Sequence, residues 1–565
     1  MMDTQRLIAL IVFSFSALML WEAWQKHTAP QVPAPSAQVA PTSVPSAPAK
    51  PGAPASSTPA QAPGTTPSVE GVSSASVTAA TGATVNVRTD LFDIDLNTMG
   101  GDIRKLTLLK VGSATDRAKA LTLLSTDPQH FFVTQSGLLG DTLPTHKTVF
   151  TPEAAGYVMP QGADSLVVRL TARTPEGAQV TKRYTFHRGS YEIDVAYDVQ
   201  NTTAQAIPAV AYFQFLRDNN PPSQEAAQTS HFGGVSTFTG AGIYTEESKY
   251  LKLDFKDIDK DKHPYPNAAK DGWIAIVQHY FVSAWAPKQG VERDFFTTHV
   301  VDNLYTAGLK VPMGTIAPGE TRSVSVPLYI GPQETEKLKT IAPGLDLVID
   351  YGWLTILAKP IFWFLRWIHS WVQNWGWSII ILTITIKLVF YPLNAKAGRS
   401  MASMKVLQPK MEKLKQMYGE DRQKLNQAMM ELYRTEKINP LGGCLPIVVQ
   451  IPVFIALYWV LLGSIELRHA PWVGWIHDLS APDPYFILPV IYAVSMFAQT
   501  RLNPQPADPV QAKVMLIMPI MFSIFFLFFP AGLVLYWVVQ NLLSILQQWH
   551  INRTIKAEAA AKARR

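Results

Sequence analysis

The sequence predicts a polytopic α-helical membrane protein of six transmembrane helices that carries one large all-β domain outside the membrane. Three observations lead there. The chain of 565 residues is 47% hydrophobic and only 16% charged, and its long apolar runs gather in the last 215 residues. Residues 85–335 instead alternate apolar and polar positions with period two. Positive charge collects in a few segments beside the apolar runs, where it sets the orientation of spans.

The first element is the apolar run Leu7–Trp24, ending in Trp21, Glu22 and Trp24. Terminal tryptophans suit a membrane interface, so residues 1–26 read as an uncleaved anchor. Small residues at Ala37–Ala40 keep a cleaved signal peptide as the alternative. Residues 27–84 are rich in Pro, Ala, Ser and Thr with almost no large apolar side chains, so they read as a disordered linker. In the β domain, Tyr191, Ile193, Val195, Tyr197 and Val199 alternate with polar or small neighbours, as in a half-buried strand. Leu166–Phe186, with Thr-Pro-Glu-Gly at its centre, reads as a hairpin. The domain shows no catalytic constellation.

Residues 336–375 form a connector dense in tryptophan. From Pro360, apolar residues recur at Ile361, Phe364, Leu365, Ile368, Trp371 and Val372, one face of a helix. A helix lying flat in the membrane interface fits this, with a membrane crossing as the alternative. The later spans are 376–394, 439–463, 484–500, 512–529 and 533–550. Pro530-Ala531-Gly532 divides the 33-residue apolar stretch Val514–Leu546 into the last two. Residues 396–437 hold ten Lys or Arg against five acids, and the tail 551–565 is also basic. The loop 464–483 has one Arg and three acids. The basic segments, and the short loop 501–511 on the same side, therefore belong in the cytoplasm with both termini. The β domain belongs on the far side, the periplasm of a two-membrane bacterium.

Lys387 interrupts the run WGWSIIILTITIKLVFYPL, ten residues past Trp377. That is about 15 Å along a helix, half of a hydrocarbon core of about 30 Å. An ammonium there costs about 2.5–3.5 kcal/mol on insertion scales, so it needs a partner, water or a purpose. Thr383 lies one turn before it, and Tyr391 and Asn394 continue the stripe. Gln450 and, on the last span, Tyr536, Gln540, Asn541 and Ser544 are also costly facing lipid. A polar groove centred on Lys387 is one reading. A snorkelling lysine with polar residues as interhelical glue is the other.

Residues 395–438 read as a helical hairpin. Met404, Leu407, Met411, Leu414 and Tyr418 form one stripe, and Leu425, Met429, Leu432 and Tyr433 the other. Its methionines suit varied apolar partners, and its basic face, with Lys405 and Lys413, suits lipid headgroups or RNA. The single Cys444 excludes an intramolecular disulfide. No phosphate-binding Gly loop and no metal-spaced cluster occurs, and for a Ser–Lys protease Thr383 lies on the Lys387 helix itself while no well-placed serine stands out. No cofactor and no small-molecule substrate is expected, and no enzyme activity. A transporter would show inverted repeats, which are not apparent. A membrane-anchored periplasmic binder would place its function in 85–335.

Several long runs carry a resemblance: DYGWL from Asp350, YPLNAKAGRSMASMKVLQPKM from Tyr391, NPLGGCLPIVVQIPVFIALYWVL from Asn439, ELRHAPWVGWIHDLSAPDPYFILP from Glu466 and FPAGLVLYWVVQN from Phe529. The chain resembles the YidC/Oxa/Alb insertase family, in its Gram-negative form with a large periplasmic domain. The resemblance implies insertion of nascent membrane proteins into the inner membrane, alone or beside the Sec translocon, with ribosome and lipids as further partners. It implies a β-supersandwich for the periplasmic domain, similar to sugar-binding folds and largely dispensable for insertion. It implies a hydrophilic groove open to cytoplasm and lipid, with groove or substrate-contact positions at Lys387, Thr383, Gln450, Tyr536 and Trp537, beside Gln540. It also implies that the hairpin receives substrates and ribosomes, with Met404, Lys405, Met411, Lys413, Tyr418 and Met429 as contacts. The family usually has arginine where this chain has Lys387, which keeps the charge and loses the bidentate fork.

Overall fold

The computed structural model describes residues 82–563 apart from 114–115, 141, 221–237, 263, 419–420, 437–444 and 503–508. The anchor at 1–26, nearly all of the linker 27–84 and Cys444 lie outside the described residues.

Two antiparallel-rich sheets, of ten and nine strands, make the β domain from Thr84 to Pro332. Period-two alternation builds them. In Glu192–Gln200 the side chains of Ile193, Val195, Tyr197 and Val199 point into the core. That strand pairs with Gln179–His187 on one side and Thr321–Pro332 on the other. Ser165–Arg173 and Gln179–His187 form the expected hairpin, turning through Gly177 at φ +110°.

A buried polar staple joins the sheets. Lys182, fully buried, donates to the Gly100 carbonyl at 2.9 Å and to Asp102 Oδ1 at 3.1 Å. Tyr184 donates to the Gly101 carbonyl at 2.6 Å. Gly100 and Gly101 sit at φ +75° and +63°, a turn that glycine adopts freely. A Cβ on Gly101 would stand 3.1 Å from Lys182 Cδ. Burial pushes the Lys182 amine below its ordinary pKa, and the Asp102 carboxylate opposes that shift.

Ten helices complete the described chain: α1 (Phe255–Asp259), α2 (Thr335–Ile341), α3 (Thr355–Val372), α4 (Trp375–Val389), α5 (Tyr391–Tyr418), α6 (Arg422–Thr435), α7 (Leu445–Gly463), α8 (Ile487–Leu502), α9 (Pro509–Phe526) and α10 (Ala531–Ala563). Among the described residues no single helix is long and apolar enough to cross a membrane. The bent pair α4–α5 passes by length and composition, and three shorter apolar helices, Val449–Gly463, Ile487–Leu502 and Ile517–Phe526, accompany it.

Four expectations change. The helix expected over 376–394 ends at Val389, and α5 leaves at 69°. Pro392 lacks an N–H and restricts Tyr391, which favours a fresh helix start here. Tyr391 and Asn394 therefore do not continue the Lys387 stripe, and the hairpin's first helix starts at Tyr391 rather than 395. Pro360 is interior to α3, which starts at Thr355. Its buried face is Ala358, Phe362, Leu365 and Ile368, while Trp371 is 75% exposed and continues an outward row with Trp363 and Trp367. Ile361, Phe364 and Val372 of the expected face are partly buried against the same core, so the face holds except at Trp371. Finally, the tail expected to begin at 551 is continuous with α10, which runs to Ala563 through alanine-rich sequence.

The β domain rests on the helices at one seam. His279 Nε2 donates to the Leu462 carbonyl at the end of α7, 2.8 Å away. The Arg468 guanidinium lies 5.6 Å and 5.4 Å from the ring centroids of Tyr280 and Phe281. His469 bonds to the Ser113 carbonyl at 3.1 Å and to Asp478 at 3.1 Å.

Candidate polar groove

Helix α4 begins at Asn374, whose side chain accepts from the Trp377 N–H at 3.1 Å. Three turns on, it presents Lys387. The Lys387 ammonium donates to Ser544 Oγ on α10 at 2.7 Å. Ser544 in turn donates to the Gln540 carbonyl at 2.8 Å, one turn back on its own helix. Gln540 Nε2 donates to Gln450 Oε1 on α7 at 2.9 Å. A polar chain thus crosses three helices. A parallel link ties α10 to α8: Asn541 Nδ2 donates to Ser495 Oγ at 2.7 Å, and Ser495 donates to the Tyr492 carbonyl at 2.8 Å. Lys387 forms no ion pair among the described residues. Its positive charge is balanced only by dipoles, which leaves it able to attract an anion.

The helix period places these groups. On α10, Tyr536, Gln540 and Ser544 are four apart and share one face. Gln540 is 6% exposed and Tyr536 2%. Trp537, half-buried, turns aside into an aromatic cluster with Phe454 of α7, Tyr492 of α8 and Phe526 of α9, at centroid distances of 4.8, 6.3 and 5.9 Å. Helix α10 packs closely on α8 and α4 and touches α7 only sparsely. Gln540–Gln450 and Trp537–Phe454 bridge that loose seam.

Lys387, Gln450 and Gln540 thus share one network. Thr383 does not join it: it is fully buried and its hydroxyl returns to the Ile379 carbonyl of its own helix at 2.7 Å. Tyr536 and Trp537 flank the network without a hydrogen bond to it. Ser495 was missed from sequence. A lone serine in an apolar helix is a weak signal, although one facing Asn541 is the partner that a buried amide needs.

In the hairpin, Asp421 caps α6 by accepting from the Gln423 and Lys424 N–H groups at 3.1 and 3.0 Å. Lys410 and Glu436 pair at 2.6 Å. Met411 is buried between the two helices, with Tyr433 OH 3.9 Å from its sulfur. Lys405 reaches the Arg501 and Leu502 carbonyls at 3.0 and 3.1 Å and so caps the end of α8. These two expected contact residues are engaged within the chain: the paired-helix core and the open carbonyls of α8 outcompete solvent for them. Lys413 and Tyr418 are exposed, and Met404 and Met429 half-buried. Among the described residues no His, Cys, Asp or Glu group is arranged to hold a metal.

The family model described as the YidC periplasmic domain matches residues 84–364, and that described as the 60Kd inner membrane protein matches residues 367–559. A membrane protein insertase YidC from Aromatoleum aromaticum is 53% identical over 99% of each chain. The chain belongs to the YidC membrane protein insertase family. A further relative of that name, from Nitrosospira multiformis, is 49% identical over 99% of this chain and 98% of its own. A crystal structure of an active YidC insertase with its first transmembrane domain resolved is similar at 19% identity and a TM-score of 0.39, over 82% of this chain and 94% of the other. Membership in the family makes this a multi-pass protein of the bacterial inner membrane.

Proposed function

We propose that the chain inserts nascent membrane proteins through the groove built on Lys387. A substrate first meets the half-buried methionines Met404 and Met429 and the exposed Lys413 and Tyr418 of the hairpin, on the cytoplasmic side. Its polar or acidic flank then enters beside Lys387, where the ammonium and the amide network replace part of its hydration. Its apolar segment leaves sideways along α7 and α9 into lipid. Burial of apolar surface drives the step at about 25 cal/mol per Å², and no nucleotide is consumed. Basic segments 396–437 and 551–565 face the cytoplasm and the β domain faces the periplasm, by the distribution of charge. Ribosome, Sec translocon subunits and lipid headgroups are the partners this arrangement suits.

The observation that carries the reading is a lysine with no ionic partner among the described residues, held by Ser544 in a polar chain across three apolar helices. Depletion of the resident copy, followed by complementation, tests it. Lys387→Ala should lose insertion of acidic-flanked substrates and Lys387→Arg should keep it. Wild-type insertion by the alanine form would remove the charge from the mechanism.

A further inference from the structure

An extended polypeptide crossing hydrocarbon has a difficulty that charge does not solve. Its backbone N–H and C=O groups lack partners there, whereas a helix satisfies them internally. A translocating flank is not yet, or never becomes, helical. Something in the groove must meet its amides.

The Gln450–Gln540 pair has the required form. One hydrogen bond joins the two carboxamides, from Gln540 Nε2 to Gln450 Oε1. That bond leaves Gln450 Nε2 without an acceptor and Gln540 Oε1 without a donor among the described residues, and both atoms are buried. The pair therefore leaves one donor and one acceptor unmatched, each on a carboxamide of the same hydrogen-bonded pair. A residue in an extended segment presents the complement on one edge: its N–H for Gln540 Oε1 and its C=O for Gln450 Nε2. Trp537 Nε1, three residues before Gln540 on the same helix, is a second buried donor without a partner. Such buried, unmatched polar atoms are disfavoured unless a partner arrives. They stand at the sparsely packed α7–α10 contact rather than in the tight packing against α8. There the corresponding amide, Asn541, is satisfied by Ser495.

We propose that Gln450 and Gln540 form a backbone-reading site, which accepts the main-chain amide of an extended, uncharged translocating segment. This rests on the insertase reading but not on the role of Lys387. Lys387 selects by charge. The carboxamide pair is indifferent to side chains, as pairing along a strand edge is.

The test uses purified full-length protein in phosphatidylethanolamine–phosphatidylglycerol vesicles and a single-span substrate with either an uncharged or an acidic tail. Insertion is read as protection of the tail from protease. In one arm, tail residues are replaced one at a time by α-hydroxy acids, which turns one backbone N–H into an ester oxygen. With the wild-type insertase, at least one position should slow insertion about fivefold, as loss of one hydrogen bond implies. In the second arm, Gln450→Leu/Gln540→Leu should slow uncharged and acidic tails alike, while Lys387→Ala slows only the acidic one. Esters that have no effect at any position overturn the proposal, as does a double variant that inserts the uncharged tail at the wild-type rate. If the double variant does not accumulate, the ester series decides. If Lys387→Ala is silent on acidic tails, the charge reading falls, and the ester series still judges the carboxamide pair.

Discussion

Lys387 Nζ donates to Ser544 Oγ across 2.7 Å, from the last turn of α4 to the middle of α10. The serine is the ammonium's one side-chain partner among the described residues, and its own hydroxyl donates a hydrogen bond to the Gln540 carbonyl. It therefore fixes where the charge sits. Ser544→Ala should lower insertion of acidic-tailed substrates by about two- to fivefold, in line with one hydrogen bond to a charged group. Ser544→Thr should restore it. A protease-protection assay on cells expressing each variant at equal level reads the result.

The staple between the sheets makes a stability prediction. Lys182→Met removes one partner of a fully buried ion pair and leaves the Asp102 carboxylate without a countercharge. The β domain should lose about 3–5 kcal/mol. Lys182→Met with Asp102→Leu should recover most of that loss, because no buried charge then remains. Urea unfolding of the full-length protein in detergent, followed by tryptophan fluorescence, checks both.

His279 makes the seam sensitive to acid. Burial pushes its pKa from 6.5 to about 4, with the Leu462 carbonyl opposing and Arg468 assisting. The folded value lies below the unfolded one, so the unfolded chain takes up the proton first as pH falls. The contribution of His279 is complete above about pH 6.5 and is lost between there and about pH 4, by up to about 3 kcal/mol. The stability of wild type relative to His279→Gln, whose amide can still reach the Leu462 carbonyl, should fall as pH drops across this range, and denaturation midpoints of the two forms measured side by side check it.

Glu466, in the loop after α7, has the opposite sign. Burial lifts it from 4.5 to about 7, with Arg366 opposing and Glu334 assisting. The folded state prefers the neutral acid, so stability is complete below about pH 4.5 and is lost as pH rises towards 7. Glu466→Gln should match wild type near pH 4 and exceed it near pH 8 by up to about 3 kcal/mol. Equal stability of the two forms at high pH would show that the carboxyl is hydrated.

Alternation in Tyr191–Gln200 announced a strand before any partner was known, because period two is a local property of extended chain. The lysine at 387 was legible in the same way: an ammonium in an apolar run is anomalous whatever surrounds it. Tyr536, Gln540, Asn541 and Ser544 were legible as polar residues too costly to face lipid. Which polar groups meet was not legible. Thr383 is the hydroxyl one turn from Lys387 in a helical reading, yet it folds back on Ile379, and Ser544, 157 residues away, takes the ammonium. The face of α3 was largely legible, since Ile361, Phe364, Leu365, Ile368 and Val372 all pack against the core, and only Trp371 turns outward.

Local chemistry in the sequence by itself determined the kinds of element, the anomaly at Lys387 and the segregation of basic and acidic segments, since each depends on residues close together in the chain. The 69° break before α5, the pairing of Lys387 with Ser544, and the open donor and acceptor of Gln450 and Gln540 were decided only in the tertiary structure. The physical reason is distance along the chain. Hydrogen bonds between α4, α7 and α10 join residues about 90 and 157 positions apart, and their geometry follows from helix packing that no local pattern encodes.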